Sequence, residues 1–388
     1  MPLTGVFGSG EMSLFETVVA LATLFVVIFF VVVAVVSIGI SLVRYRHDYH
    51  QQEARKRVRG ELFERQEQDD PEYEKWLSQL SSTEREQLES IVERYLRTVD
   101  GSQREQYEKL AAQLGMGKNA DKTLDQRAVV PRLRSLALLS LLNYPISRKR
   151  LLDTCLDTRR TRQAAARLVW ERRADFEHAR ITGTTILLFH RQQALTAYGL
   201  ETLHKLNDGD PTPILIRANR EATNWSPPLL VQICQVLEHC RTVVQPERFE
   251  WLFPLFNHDE PMVRAAAIGV FRRHGWRKEI RSEIPFRALV TDEDSRVRHR
   301  TYEVLAYWGD DQARQLLEWA VVDEEDSRCQ LTAVRALASM DADPLTSSRA
   351  WPTASWNWVN AEIDADMTRR LPSTNGRQPV PSKPMVTS

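Results

Sequence analysis

Residues 17–43 carry no charged side chain, and the block 24–33 is built from Leu, Phe, Val and Ile alone. As a helix rising about 1.5 Å per residue, such a stretch crosses a hydrocarbon core of roughly 30 Å with some length left for tilt. It predicts a single transmembrane helix over 14–43 behind a short segment, 1–13. A secretory signal would need a basic start and an apolar region of about 7–15 residues, and neither is present. Beyond the span the apolar positions take up helical spacing. Leu88, Ile91, Val92, Tyr95 and Leu96 form one stripe, Asp100-Gly101 a turn, and Leu110, Ala111 and Leu114 a second stripe that stops at Gly115. Thr83 with Glu86 and Ser102 with Glu105 fit capping boxes at the two helix starts. The expected order is a basic juxtamembrane helix over 44–69, a helical hairpin region over 70–115 and a polar linker over 116–128.

From 129 to 341 the pattern repeats. The segment HDEPMVRAAAIGVFRRHG at 258–275 aligns with DEDSRVRHRTYEVLAYWG at 292–309, with Val263-Arg264 on Val297-Arg298 and Gly275 on Gly309. EEDSRCQLTAVRALASMD at 324–341 continues the register with Cys329 at the valine position, and SPPLLVQICQVLEHC places Val231 there. Weaker copies are PRLRSLALLSLLN at 131–143 and TRQAAARLVWER at 161–172. A unit with Leu252, Phe253, Leu255 and Phe256 on one helix and Ala266, Ala267 and Val270 on the next cannot bury itself alone. Stacked neighbours supply the missing core, with alanine allowing close helix approach.

An apolar helix, an Asp-containing turn, then Val-Arg opening an Ala-rich helix resembles the HEAT-repeat family, particularly the short HEAT-like repeats of phycobilisome lyases. The resemblance is specific over 226–341 and looser over 129–225. It implies an α-solenoid in which the turn Asp and the Arg of Val-Arg form a ladder between units, giving Asp259, Arg264, Asp294 and Arg298 structural roles. It also implies that the second helices line the inner surface, where Arg264, Arg272, Arg273, Arg298, Arg300 and Arg335 would gather.

Lys+Arg and Asp+Glu each total 52, so no global charge excess points to nucleic acid. Locally, Arg44, Arg46, Arg55, Lys56, Arg57 and Arg59 follow the span against Asp48 and Glu53. This bias places the C-terminal domain in the cytoplasm and the N-terminus outside. Cys155, Cys234, Cys240 and Cys329 form no Cys-x-x-Cys pair and read as free buried thiols. The acidic runs 292–294 and 323–326 read as solvated turns at helix starts. No dinucleotide, P-loop, zincin or nucleophile-elbow motif is present, so neither catalysis nor a cofactor or metal is expected. Trp351, Trp356 and Trp358 open a Trp-containing segment, 342–371, that either caps the domain or docks a partner. The tail 372–388 is rich in Pro, Ser and Thr and is expected to be disordered.

The sequence therefore predicts an all-α chain: a single transmembrane helix, a helical stalk and a HEAT-like α-solenoid. The expected function is a membrane-anchored scaffold for protein partners, a membrane protein of envelope or polysaccharide synthesis or of a secretion complex among them. The partner-binding residues would be Arg272, Arg273, Arg298, Arg300, Arg335, Trp351, Trp356 and Trp358, with no nucleic acid engaged. The rival readings are a solenoid that binds nucleic acid or another polyanion through its arginine-lined face, and a lyase-like enzyme. Equal charge counts oppose the first and the anchor opposes the second.

Overall fold

The computed structural model describes residues 14–66, 73–240, 246–274, 277–340 and 351–370, and among them every regular element is helical. Segment 1–13, Gly275 of the repeat register, the stretch 341–350 and the tail 371–388 lie outside the described residues. The chain divides into two units, Met1–Ala120 and Asp121–Ser388.

The first unit opens with α1 (Leu14–Gln66), one uninterrupted helix of 53 residues that contains both the apolar stretch and the basic one. It is the one helix among the described residues long and apolar enough to cross a membrane, with a mean hydropathy of 3.1 in its richest window. Its far end buries Val58 and Leu62 where α1 packs on α3 (Ser82–Thr98). The short α2 (Tyr73–Gln79) adds Trp76, whose Nε1–H donates to Glu61 Oε2 at 2.6 Å. α4 (Ser102–Gln113) completes the hairpin, with Tyr95 and Tyr107 stacked 5.0 Å apart.

Three local expectations change at this point. The capping box is Ser81 with Glu84, because chain entry occurs one residue before the first helical turn at Ser82; Thr83 and Glu86 already lie inside the helix. α4 starts from Gly101 with no side-chain cap, so Ser102 and Glu105 form none. The expected linker is helical through α5 (Met116–Thr123), because Met116, Ala120 and Leu124 recur at helical spacing and are buried. Gly115, at φ +70°, makes the break before it, as a residue without Cβ can.

The second unit stacks helices in two rows. The second-helix row is α6 (Val129–Leu141), α8 (Arg159–Glu171), α10 (Ala197–Asn207), α12 (Pro227–His239), α13 (Pro261–Val270), α16 (Ser295–Trp308) and α18 (Ser327–Ser339). Consecutive members of the row pack on one another. The first helices are α7 (Arg148–Cys155), α9 (Ala179–Leu187), α11 (Thr212–Glu221), a 3-10 segment (Pro246–Asn257), the pair α14 (Lys278–Glu283) and α15 (Phe286–Val290), and α17 (Asp311–Val322). α19 (Thr353–Arg370) packs on α18 at the end of the row.

The repeat register is visible in the caps. Three residues past Glu260, Asp294 and Asp326 stand Val263, Val297 and Cys329, all buried. In α12 the cap is Ser226, so the equivalent residue is the buried Leu229. Val231 is two residues later and half-exposed, because Pro227 and Pro228 start the helix earlier than the apolar run suggests. All four cysteines are free and buried.

The alanines sort by face. Ala267 is fully buried between packed helices, whereas Ala266 is half-exposed. Ala267→Asp is therefore expected to cost about 3 kcal/mol or more, as an unpaired carboxylate in a close-packed layer does. Ala266→Asp should stay within about 1 kcal/mol. Melting of the full chain in detergent separates the two, and equal losses would contradict this assignment of faces.

His274 ends a short 3-10 segment, Phe271–His274, that follows α13, its ring 5.0 Å from Phe249 in a cluster that includes Phe271. Burial, followed by the neighbouring Arg277 and Arg273, holds its pKa down at about 4, so it is neutral in the fold. The unfolded chain binds this proton near pH 6.5. Stability should accordingly fall as pH drops from about 6.5 to about 4. In His274→Leu, chemical denaturation across that window should show a shallower pH dependence.

Candidate functional site

Within the second unit, five second helices enclose an open groove of about 960 Å³. Its floor is small and apolar: Ala197 and Leu200 from α10, Val231 from α12, and Met262, Ala265 and Ala266 from α13. Small side chains at the middle of the row leave the depression, and the larger residues on either side become its walls. Those walls carry His204 and Glu201 from α10, Glu238 and His239 from α12, Arg296, His299 and Arg300 from α16, and Asp326 and Arg328 around the start of α18. The rings of His204 and His239 meet edge to face at 6.4 Å. No cluster among the described residues has the makings of a metal site.

The charges are mostly paired across helices. Arg300 bonds Glu238 on α12 and also reaches Glu303 at 2.5 Å, and Arg272 lies 3.9 Å from the other Glu238 oxygen. Glu201 takes Lys205 at 2.6 Å and Arg167 at 3.5 Å. Cation–aromatic stacking recurs along the row: Arg167 and Lys205 lie over Trp170 at 4.7 and 4.9 Å, and Arg272 lies over Tyr307 at 4.8 Å. The groove thus presents an apolar floor between mixed, internally compensated charges.

The eight residues expected to bind a partner fall into three places. Arg272 and Arg300 come together around Glu238. Arg273 is exposed beside them and makes no ion pair among the described residues. Arg298 does not face the groove. Its guanidinium forks onto Glu324 at 3.0 and 2.8 Å and donates to the Asp292 carbonyl at 2.7 Å. Arg335, Trp351, Trp356 and Trp358 gather where α19 meets α18. Arg335 pairs with Glu362 at 2.8 Å and stacks on Trp358 at 5.0 Å, while Trp351 is buried against Trp356, their rings 5.3 Å apart.

The Arg298–Glu324 contact belongs to a ladder that runs along the turns. Four residues past each helix cap, Arg132, Arg162, Arg264 and Arg298 turn into the stack. Arg264 forks onto Asp292 at 2.8 and 2.7 Å, Arg132 onto Asp157 at 2.6 and 2.7 Å, and Arg162 reaches Gln193 at 2.9 Å. The acidic partners are Asp292 and Glu324, in place of Asp259 and Asp294. Asp294 is the cap of α16, bonding the Arg296 backbone and side chain, and these Arg296 contacts bring its pKa down to about 2 despite partial desolvation. Nor are the acidic runs simply solvated. The Glu324 side chain is fully buried, accepts from Tyr302 Oη at 2.7 Å, and receives the N–H of the next cap, Asp326.

The groove histidines and glutamates carry no sequence motif. Only their repetition at one face of the second helices could have signalled them.

A family model for HEAT repeats matches residues 285–350, the stretch that contains α15 to α18. No curated protein matches the chain. Together with the stacked row, the match defines an all-α solenoid and supports HEAT-type repeats in this unit. Such repeats are a helical scaffold of the kind used for protein interaction.

Glu324→Gln should be more costly than its conservative form suggests. It leaves Arg298 without its carboxylate, in a site where removal of one partner of a buried pair costs about 3–5 kcal/mol. Asp259→Asn should change melting little, since the ladder uses only the carbonyl of Asp259. Equal melting of the two variants would refute this ladder pairing.

Proposed function

We propose that this chain is a single-span membrane scaffold that holds a protein partner in the groove of its second unit. The observation that carries the reading is the groove itself: five helices contribute an apolar floor of Ala, Val, Leu and Met framed by charges already paired with one another. A continuous polyanion would find few free cations there. A protein segment with apolar anchors and mixed charge finds both of its needs. The scaffold is taken to be non-catalytic.

The anchor reading is supported by α1. Its apolar side chains from Leu24 to Leu42 are exposed along the whole described stretch, far more contiguous apolar surface than a water-soluble chain leaves open. The basic residues that follow favour a cytoplasmic second unit. A membrane protein, such as one of envelope assembly or secretion, is the partner this geometry suits, since span and groove belong to one chain.

The test uses the full chain with a photo-crosslinking residue in place of Gln235, an exposed groove position. In isolated membranes a discrete, nuclease-resistant protein adduct is expected. Ala266→Trp, which fills the floor, should abolish it without lowering the melting temperature. Protease added to intact spheroplasts should leave the second unit whole. A nuclease-sensitive adduct, or cleavage from outside, would overturn the reading.

A further inference from the structure

We infer that Arg300 is a strap that holds the groove at a narrow setting by tying α16 to α12 across α13. Glu238 and Arg300 are 62 residues apart, and their helices both pack on the one between them. The Arg300 side chain crosses α13 at Gly269. A Cβ there would stand 2.9 Å from Arg300 Nε, 3.0 Å from Nη2 and 3.2 Å from Glu238 Oε2. Gly269 lies within a helix and has no left-handed backbone to require it. What it supplies is a passage for the guanidinium. Any side chain at this position would occupy the space through which the bridge runs.

The strap is compensated at both ends, so it can release without stranding a charge. Glu238 keeps Arg272, 3.9 Å away, and Arg300 keeps Glu303 at 2.5 Å on its own helix. The ladder is different: Glu324 is fully buried and Arg298 largely so. Loss of the strap therefore affects the spacing of three second helices more than the stability of the stack. Both ends of the strap, Glu238 and Arg300, line the groove, so the setting of the bridge bears directly on the groove wall.

The test reads a distance in the chain alone, so it stands or falls separately from the partner reading. All four native cysteines are buried, which leaves Gln235→Cys on α12 and Arg296→Cys on α16, both exposed in the parent chain, as selective sites for spin labels. In full-length protein in detergent, Arg300→Gln and Gly269→Val should each lengthen the mean label separation by about 3 Å or more. That is a third of the roughly 8–10 Å between packed helix axes. Gly269→Val retains every charge and meets mainly the movable end of the Arg300 side chain, so it separates loss of the bridge from loss of a cation. Arg335→Gln, at the far end of the row, should leave the separation unchanged. An unaltered distance in either strap variant overturns the proposal. If Gly269→Val does not fold, Gly269→Ala is read in its place by the same criterion.

Discussion

The second unit depends on one recurring interaction: an arginine four residues into a second helix that reaches a turn carbonyl and an acceptor of a neighbouring unit. Arg264 and Arg298 show it most fully, each donating to the carbonyl six residues earlier and forking onto the next carboxylate. Such a buried charge is tolerated when most of the donors it turns inward are met. The carboxylate answers a second need as well. Asp292 receives the backbone N–H of Asp294, and Glu324 that of Asp326, so the group that ends one unit's ladder contact also shapes the turn that caps the next helix. Unit spacing and turn conformation are thereby set by the same atoms.

The end of the row shows the same constraint in reverse. Gln330 stands where Arg264 and Arg298 stand in earlier units, and it still donates to the carbonyl six residues back, at 3.2 Å. No further repeat follows to offer a carboxylate among the described residues. α19 supplies Ser355 instead, with 2.6 Å between its Oγ and Gln330 Oε1. A neutral amide met by a hydroxyl avoids the stranded charge that an arginine would leave. The sequence departure at Gln330 thus matches the neutral partner that α19 presents to it.

Much of the architecture was legible because helical repeats write the same residue at the same depth. Val263 and Val297 announced a register that the caps reproduce, and the weaker segments at 131 and 161 contain Arg132 and Arg162 at the ladder position. Spacing alone could not say which acid each arginine meets. Asp259, Asp292 and Asp294 all belong to repeat turns, and only chain direction decides that Asp292 points back into the stack while Asp294 caps forward. The same limit governed α12, where two prolines moved the helix start, and α5, whose short apolar stripe lies among lysines and an aspartate.

The groove was harder to read than the fold because it is a property of differences between units. A single alanine-rich helix reads as close packing. Only when α13 stands between α12 and α16, with Ala265 and Ala266 among longer side chains from its neighbours, does its small-residue face become a depression. Arginines counted along the second helices suggested a cationic surface, yet most are committed: Arg298 to the ladder, Arg335 to the cap, and Arg272 and Arg300 to Glu238. Charge that is already paired contributes little long-range attraction and much local geometry. The shape of this face of the solenoid therefore comes less from net charge than from where small residues let one helix's side chain reach past its neighbour to the next.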